Sequence, residues 1–326
     1  MIESLVSTII PVYNRPSQLR EAVDSVLCQD YRPIEILIVD DGSTDETFKV
    51  AQALVDANPG IVRVVSQSNS GPGAARELGR TLAAGEFIQY LDSDDFLLPG
   101  KFSSQIAALR ADSQADVAYG ITYVRDAAGT LDETPHKRTG ERIEHMFPAF
   151  IMSRWWETAT PLYRRRATDA AGPWTTLNLE EDWEYDCRIA SVAGRLVWVP
   201  VPVSEHRDHP GERLSRGQAL DPSRLRQRAT SHLLILAHAR LGGVAPNCPE
   251  MRHFTRELFL VARQCGAAGL ADESRKLFKA ARDAAGRQQV RAADFQAYRA
   301  LTLLVGWRAA GKASCWIDRL RGGQNG

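Results

Sequence analysis

The sequence has no long hydrophobic run: no uncharged stretch of its 326 residues approaches the ~18 that a membrane-spanning helix needs. Cysteine is scarce and badly placed for chemistry. Cys28, Cys187, Cys248, Cys265 and Cys315 are odd in number and show no CxxC spacing, which argues against a disulfide framework or a structural zinc site and for a reducing compartment. Net charge is absent too, with 40 basic and 40 acidic residues, so no polyanion and no nucleic acid is expected as a partner. The opening MIESLVSTIIPVYN carries Glu3 and no basic run, so it is not expected to be a signal peptide. Hydrophobic residues at 44% and charged residues at 25% are ordinary globular values, which excludes disorder, collagen and coiled coil as the whole answer. The expected location is cytoplasmic, at most peripheral on the inner face of a membrane.

The zero net charge hides an asymmetry. Residues 1–210 carry 20 basic and 31 acidic side chains, a net of −11, whereas residues 211–326 carry 20 and 9, a net of +11. A split of this size suggests two regions with different partners.

The first region alternates strand and helix signals. Leu5–Val12, Ile34–Val39, Ile61–Ser66 and Phe87–Leu91 are short apolar runs suited to buried parallel strands. Ser17–Gln29, Thr44–Asn58 and Gly73–Ala84 between them have helical spacing. The pattern predicts an α/β fold with a mostly parallel sheet flanked by helices, whose ligands bind beyond the carboxyl ends of the strands. A further strand is expected at VAYGITYV, an irregular segment over 130–175, a helix over Leu179–Gly194 and a strand over Leu196–Val203. From about Pro222 the pattern is helical throughout. Ala267–Ala284 has the look of one helix-turn-helix unit of a tetratricopeptide repeat, and one unit makes no array. A small helical cap is the expectation.

Five motifs sit just after strands or open a helix. Asp40-Asp41-Gly42-Ser43-Thr44-Asp45 can present a carboxylate to the N–H groups of a planar base, although Asp-Gly alone is a common turn. Asn69-Ser70-Gly71-Pro72-Gly73-Ala74-Ala75-Arg76 can bring backbone N–H groups to a phosphate, yet it matches neither a Walker loop nor GxGxxG. Asp92-Ser93-Asp94-Asp95 gathers three carboxylates after an apolar strand. They repel one another unless a cation such as Mg²⁺ or Mn²⁺ neutralises them. Glu180-Glu181-Asp182 opens a helix, where acids serve either as caps or as a general base. His206-Arg207-Asp208-His209 follows the last strand and could meet a metal or a phosphate.

Taken in order, IIPVYN, VDDGSTD, NxGxxxAR, LDSDD, EED and HRxH resemble the family 2 glycosyltransferases of the GT-A fold, over residues 1 to about 215. The resemblance implies a catalytic domain over 1–215 and a basic α-helical extension over 216–326. It implies that Pro11, Tyr13 and Asn14 end the first nucleotide-contacting strand, that Asp41 beside Asp40 reads the base, and that Asn69, Gly71 and Arg76 lie near the diphosphate. Asp92 and Asp94 would hold the nucleotide sugar, with Asp94, Asp95 and His209 on the Mn²⁺ or Mg²⁺ ion. Asp182 would be the catalytic base beside Glu181, and Arg207 and His209 would belong to the segment closing over the diphosphate. The family often has Tyr-Arg-x-His where this chain has His206-Arg207-Asp208-His209, and often has Asn where this chain has Glu77.

The implied function is inverting transfer of a sugar from a nucleotide-diphosphate donor, most commonly a UDP-sugar in this family, to a hydroxyl of a saccharide or lipid-linked acceptor, as in cell-surface polysaccharide synthesis. Trp155 and Trp156 are expected to stack on the acceptor, since aromatic faces suit sugar rings. A nucleotidyltransferase is the main alternative; it calls for a Gly-rich basic loop after the first strand, where this chain has Pro11-Val12-Tyr13-Asn14-Arg15-Pro16. A catalytically silent sugar-nucleotide-binding module is the other. At the far end, Ala300–Arg321 lacks proline and carries Arg308, Lys312 and Arg319 on one helical stripe beside Leu301, Leu304, Val305, Trp316 and Leu320. That pattern suits either a helix on an anionic membrane or a cap packed on the catalytic domain.

Overall fold

The computed structural model of the protein describes residues 1–208, 218, 220–285 and 293–322. It divides into two compact units, Met1–Met146 with Arg154–Gly211, and Phe147–Ser153 with Glu212–Gly326.

The first unit is built on one nine-stranded sheet. Its N-terminal half is β1 (Ile2–Val12), α1 (Pro16–Leu27), β2 (Ile34–Asp40), α2 (Thr47–Ala57), β3 (Val62–Ser66), α3 (Pro72–Leu82) and β4 (Gly85–Tyr90). The order β3-β2-β1-β4 is parallel throughout. All seven residues of β2 are buried, as a strand covered on both faces requires. In α1, Pro16 sits at the first turn and Leu19, Ala22, Val23 and Val26 form the buried face, at the spacing of one side of a helix. Those residues pack on Val6, Ile10, Ile36 and Ile38 in the core.

The sheet continues through β5 (Phe96–Leu97), α4 (Lys101–Ala111), β6 (Val117–Arg125), β7 (Leu131–Asp132), β8 (Leu162–Arg164), α5 (Arg165–Ala171), α6 (Glu181–Ala193) and β9 (Leu196–Arg207). Its order runs on from β4 as β8-β6-β9-β5, with β7 on β6. β8 is antiparallel to both β4 and β6, while β9 returns parallel to β6. The stretch 130–175 is therefore more regular than its sequence suggests, since it supplies β7, β8 and α5. Within it Phe147–Ser153 groups with the second unit.

The second unit comprises a 3₁₀ turn (Ala149–Ile151) and helices α7 (Pro222–Leu241), α8 (Pro249–Ala267), α9 (Ala271–Ala284) and α10 (Ala293–Gly322). Asp221 caps α7 by accepting from the Arg224 N–H at 2.8 Å. The core is aromatic: Phe259 lies 4.3 Å from Phe295 and 5.3 Å from Tyr298, and Phe278 lies 5.8 Å from Trp307. One expectation fails here. Residues 300–321 are not one helix, because Gly306 breaks α10 with φ 77° and ψ 169°. Leu301, Leu304 and Val305 precede the break, whereas Arg308 and Lys312 follow it; the Arg319 side chain lies outside the described residues.

Candidate active site

The ends of β1 and β2 are clasped together. Asn14 has φ 52°; its N–H donates to Ser43 Oγ at 3.0 Å and its Oδ1 accepts from the Thr44 N–H at 2.8 Å. Pro11 lies inside the β1–β2 register opposite Val39, and Tyr13 just beyond is 44% exposed. Asp40 is buried and accepts from Ser66 Oγ at 3.0 Å. Asp41 is equally buried. Its Oδ1 accepts from Gln67 Nε2 and the Ser70 N–H, both at 2.8 Å, and its Oδ2 from the Gly71 N–H at 2.9 Å. A carboxylate has about four acceptor sites, so these three bonds pin the glycine-rich loop beside the strand end.

That loop needs its glycines. Gly71 adopts φ 89°, and a Cβ on Gly73 would meet the Thr175 carbonyl oxygen at 2.1 Å. Asn69 ahead of them is exposed. Behind them, on α3, Arg76 is 4% exposed and bridges two carboxylates, Asp92 at 2.6 Å and Glu181 at 2.9 Å, with its guanidinium 4.8 Å from the Trp174 ring. Burial alone would lower the Arg76 pKa, but attraction to Asp92 and Glu181 outweighs it and the net direction is up. Arg76 thus joins the end of β4 to the start of α6.

The acidic cluster is divided among counter-charges. Arg15 pairs with Asp94, whose side chain remains 20% exposed. Asp95 is turned inward at 2% exposure, accepting from the Arg207 N–H at 3.2 Å and lying 3.0 Å from His206 Nδ1. Burial pushes the Asp95 pKa up to about 6 although His206 pulls it down. The Asp95 carboxylate thus engages two β9 residues, His206 and Arg207. The outward-facing oxygens belong to Asp92 and Asp94, in the spacing Asp-x-Asp. Among the described residues no group of three or more His, Cys, Asp or Glu converges as a ready cation cage. His209 lies outside the described residues. Arg207 pairs with Glu21 at 2.7 Å and lies over the Phe96 ring, its guanidinium carbon 3.4 Å from the centroid.

Helix α6 carries Glu181, Asp182 and Glu184 in its first turn, where the helix dipole favours carboxylates. Glu181 is committed to Arg76, and burial raises its pKa. Asp182 keeps 28% of its side chain exposed, and its Oδ2 accepts from Arg154 Nη1 at 2.5 Å. Arg154 was not anticipated from sequence; it is one of several cations in an irregular stretch ahead of an acidic helix, and nothing local singles it out. Its neighbours Trp155 and Trp156 are 1% and 0% exposed. Trp156 donates its indole N–H to Asp186 at 3.1 Å, and the Arg138 guanidinium covers Trp155 at 4.2 Å. Both rings are core and offer no face to a sugar, which corrects the expectation of stacking.

The strand order and the sites at the strand ends define a GT-A glycosyltransferase fold, and the comparisons agree. Residues 7–168 match, and belong to, glycosyl transferase family 2. An uncharacterised glycosyltransferase of Haemophilus influenzae is 38% identical over 102 residues, which are 31% of this chain and 41% of that protein. The chain thus spans about two fifths of that relative's length. TarS of S. aureus, solved with UDP-GlcNAc, superposes with a TM-score of 0.67 at 19% identity, covering 94% of this chain and 88% of that one. The mannosyltransferase PcManGT of Pyrobaculum calidifontis, solved with GDP-Man and Mn²⁺, superposes at 0.54 and 19% identity, covering 97% and 86%. At these identities the likeness is one of fold.

Proposed function

We propose that the protein is an inverting glycosyltransferase that moves a sugar from a nucleotide-diphosphate donor, first of all a UDP-sugar, to a hydroxyl of a glycan or lipid-linked acceptor in cell-surface polysaccharide synthesis. One observation carries the reading. The Arg76 guanidinium ties Asp92, at the end of the donor-side strand, to Glu181, beside the partly exposed Asp182. A candidate base and a candidate diphosphate site thus stand one guanidinium apart.

In this reading Tyr13, Asn14, Asn69 and the Asp41-pinned loop hold the nucleotide, and Asp92 and Asp94 hold a divalent cation. The donor set fits such an ion: hard, partly exposed oxygens two residues apart suit Mn²⁺ or Mg²⁺. When bound, the ion supplies neutralising charge to the leaving diphosphate. Asp182 takes the proton of the acceptor hydroxyl as that oxygen bonds to the anomeric carbon. The bond from that carbon to the phosphate oxygen breaks, and its electron pair leaves with the nucleotide diphosphate. A single displacement inverts the centre, and it requires one base and no enzyme nucleophile.

A thermal-shift panel of UDP-, dTDP- and GDP-sugars with Mn²⁺ selects the donor, because a bound ligand raises apparent stability. Asp182→Asn keeps that shift and loses about 10²–10⁴-fold in transfer rate. Near-normal transfer by this variant overturns the assignment of the base.

The second unit supports a further part of the proposal, peripheral contact with an anionic membrane. Leu303 and Leu304 are 80% and 81% exposed, Trp316 is 63% and Leu320 is 54%, in a region rich in Arg and Lys. No helix among the described residues is long and apolar enough to cross a membrane.

A further inference from the structure

Arg154 is nearly buried, at 9% side-chain exposure, and faces three carboxylates. Its Nη1 reaches Asp182 at 2.5 Å and Glu157 at 3.9 Å, and its Nε reaches Asp186 at 2.9 Å. Two of the three also have other partners. Asp186 also accepts from the Trp156 indole at 3.1 Å and the Tyr163 hydroxyl at 2.9 Å. Glu157 lies 2.8 Å from Lys137 Nζ and 3.0 Å from His136 Nε2. These anchors fix the guanidinium from behind, and they are 1% and 18% exposed. Asp182, at 28%, is the most open of the three, and among the described residues its other oxygen accepts from the adjacent Trp183 N–H, at 2.7 Å.

The consecutive acids of α6 therefore have different arginines. Arg76 takes Glu181 and carries it toward Asp92, while Arg154 takes Asp182 and carries it toward Asp186, one helical turn further on. A planar guanidinium offers donors in a fixed fork, so an Arg154 clamped on Asp186 sets where the Asp182 carboxylate points.

We propose that Arg154 is the positioning residue for Asp182: it holds the carboxylate in the one orientation from which it meets an acceptor hydroxyl, with Asp186 as the anchor of the clamp. The inference rests on the reading of Asp182 as the base. Arg154 acts through Asp182 and touches neither donor nor acceptor. A reacting group misplaced by about 1 Å loses on the order of 10²-fold in rate, which sets the size of the effect.

The test uses the full chain and whichever nucleotide sugar gives the largest thermal shift, UDP-GlcNAc and GDP-mannose being the first probes. Turnover is read as released nucleotide diphosphate. Arg154→Met is expected to lower kcat by about 10–100-fold while the donor Kd stays within about twofold, and Arg154→Lys to recover part of the loss through a single contact. In an Asp182→Asn background, Arg154→Met should cost no further rate, because the group it positions is gone. Equal losses in kcat and donor affinity, no recovery with lysine, or a full further loss in the Asp182→Asn background would each overturn the proposal. Near-normal turnover by Asp182→Asn alone would instead overturn the base, so the two failures are separable.

Discussion

The two units bury opposite things. In the first, charged groups go inside in sets: Arg76 with Asp92 and Glu181, Arg154 with Asp182 and Asp186, Asp95 with His206. In the second, the buried polar residues described are Ser231, His232, Thr255, Ser274 and Thr302, with no carboxylate, lysine or arginine among them, while large apolar side chains stand in solvent. Burying a charge costs several kcal/mol unless partners offset it, and apolar replacements are often as stable. A unit that carries three such sets gains fixed electrostatics rather than stability. That is what a site stabilising developing charge requires. The helical unit has an ordinary aromatic core, and its unusual chemistry lies on its surface.

The difference predicts where substitutions hurt. Arg76→Met has the largest expected effect on stability, because it leaves the buried Glu181 carboxylate without its counter-charge. Removing one partner of a buried pair costs about 3–5 kcal/mol, which urea unfolding measures directly. A loss below about 1 kcal/mol would break the comparison, since Arg76 would then behave as a surface charge.

What could be read in advance follows from how local the cause was. β1, β2 and α1 have apolar periodicities written in consecutive residues, and the acids sit just past those runs, so strands and motifs were legible together. The Asp95–His206 pair was not legible, because His206 is brought alongside by the β5–β9 pairing, which no local pattern announces. Arg154 went unseen, and Trp155 and Trp156 were misread, for the same reason: an irregular stretch takes its meaning from α6, about thirty residues on. The break in α10 was missed because a single glycine is tolerated inside many helices, and only its φ of 77° marks the interruption.

A smaller effect, with a pH signature, is expected at Glu157. Burial raises its pKa, but the bond to His136 and the charges of Lys137, His206 and Arg154 outweigh burial and hold it well below the usual carboxylate range. A carboxyl depressed in the folded state contributes stability above its unfolded pKa, roughly 4.3, and loses it as pH falls toward the folded value. Glu157→Gln should thus cost about 1–3 kcal/mol at pH 7, and its gap from the parent protein should close progressively below about pH 4.3. Melting curves at pH 7, 5, 4 and 3.5 test this; a gap independent of pH would mean that packing, not charge, accounts for the loss.

The smallest stability effect is expected where the second unit is most unusual, at Leu303 and Leu304. Both side chains already face solvent at 80% and 81%, so the paired change Leu303→Asp and Leu304→Asp should shift stability by no more than about 0.5 kcal/mol. Its effect on association should be large. An inserted leucine contributes about 1.5–3 kcal/mol, and each basic residue near an anionic surface about 1 kcal/mol. Exposed Arg308 and Lys312 follow directly after the Gly306 break, in a region of net +11. The parent protein should sediment with vesicles of mixed phosphatidylcholine and phosphatidylglycerol at low salt. It should sediment less as salt shortens the Debye length, and not with phosphatidylcholine alone. The paired variant should stay in the supernatant while keeping the same melting temperature. If both proteins sediment equally, the leucines are not the contact. If neither does, and the parent instead self-associates with rising concentration, the patch is covered by a second copy of the chain and the membrane reading is wrong.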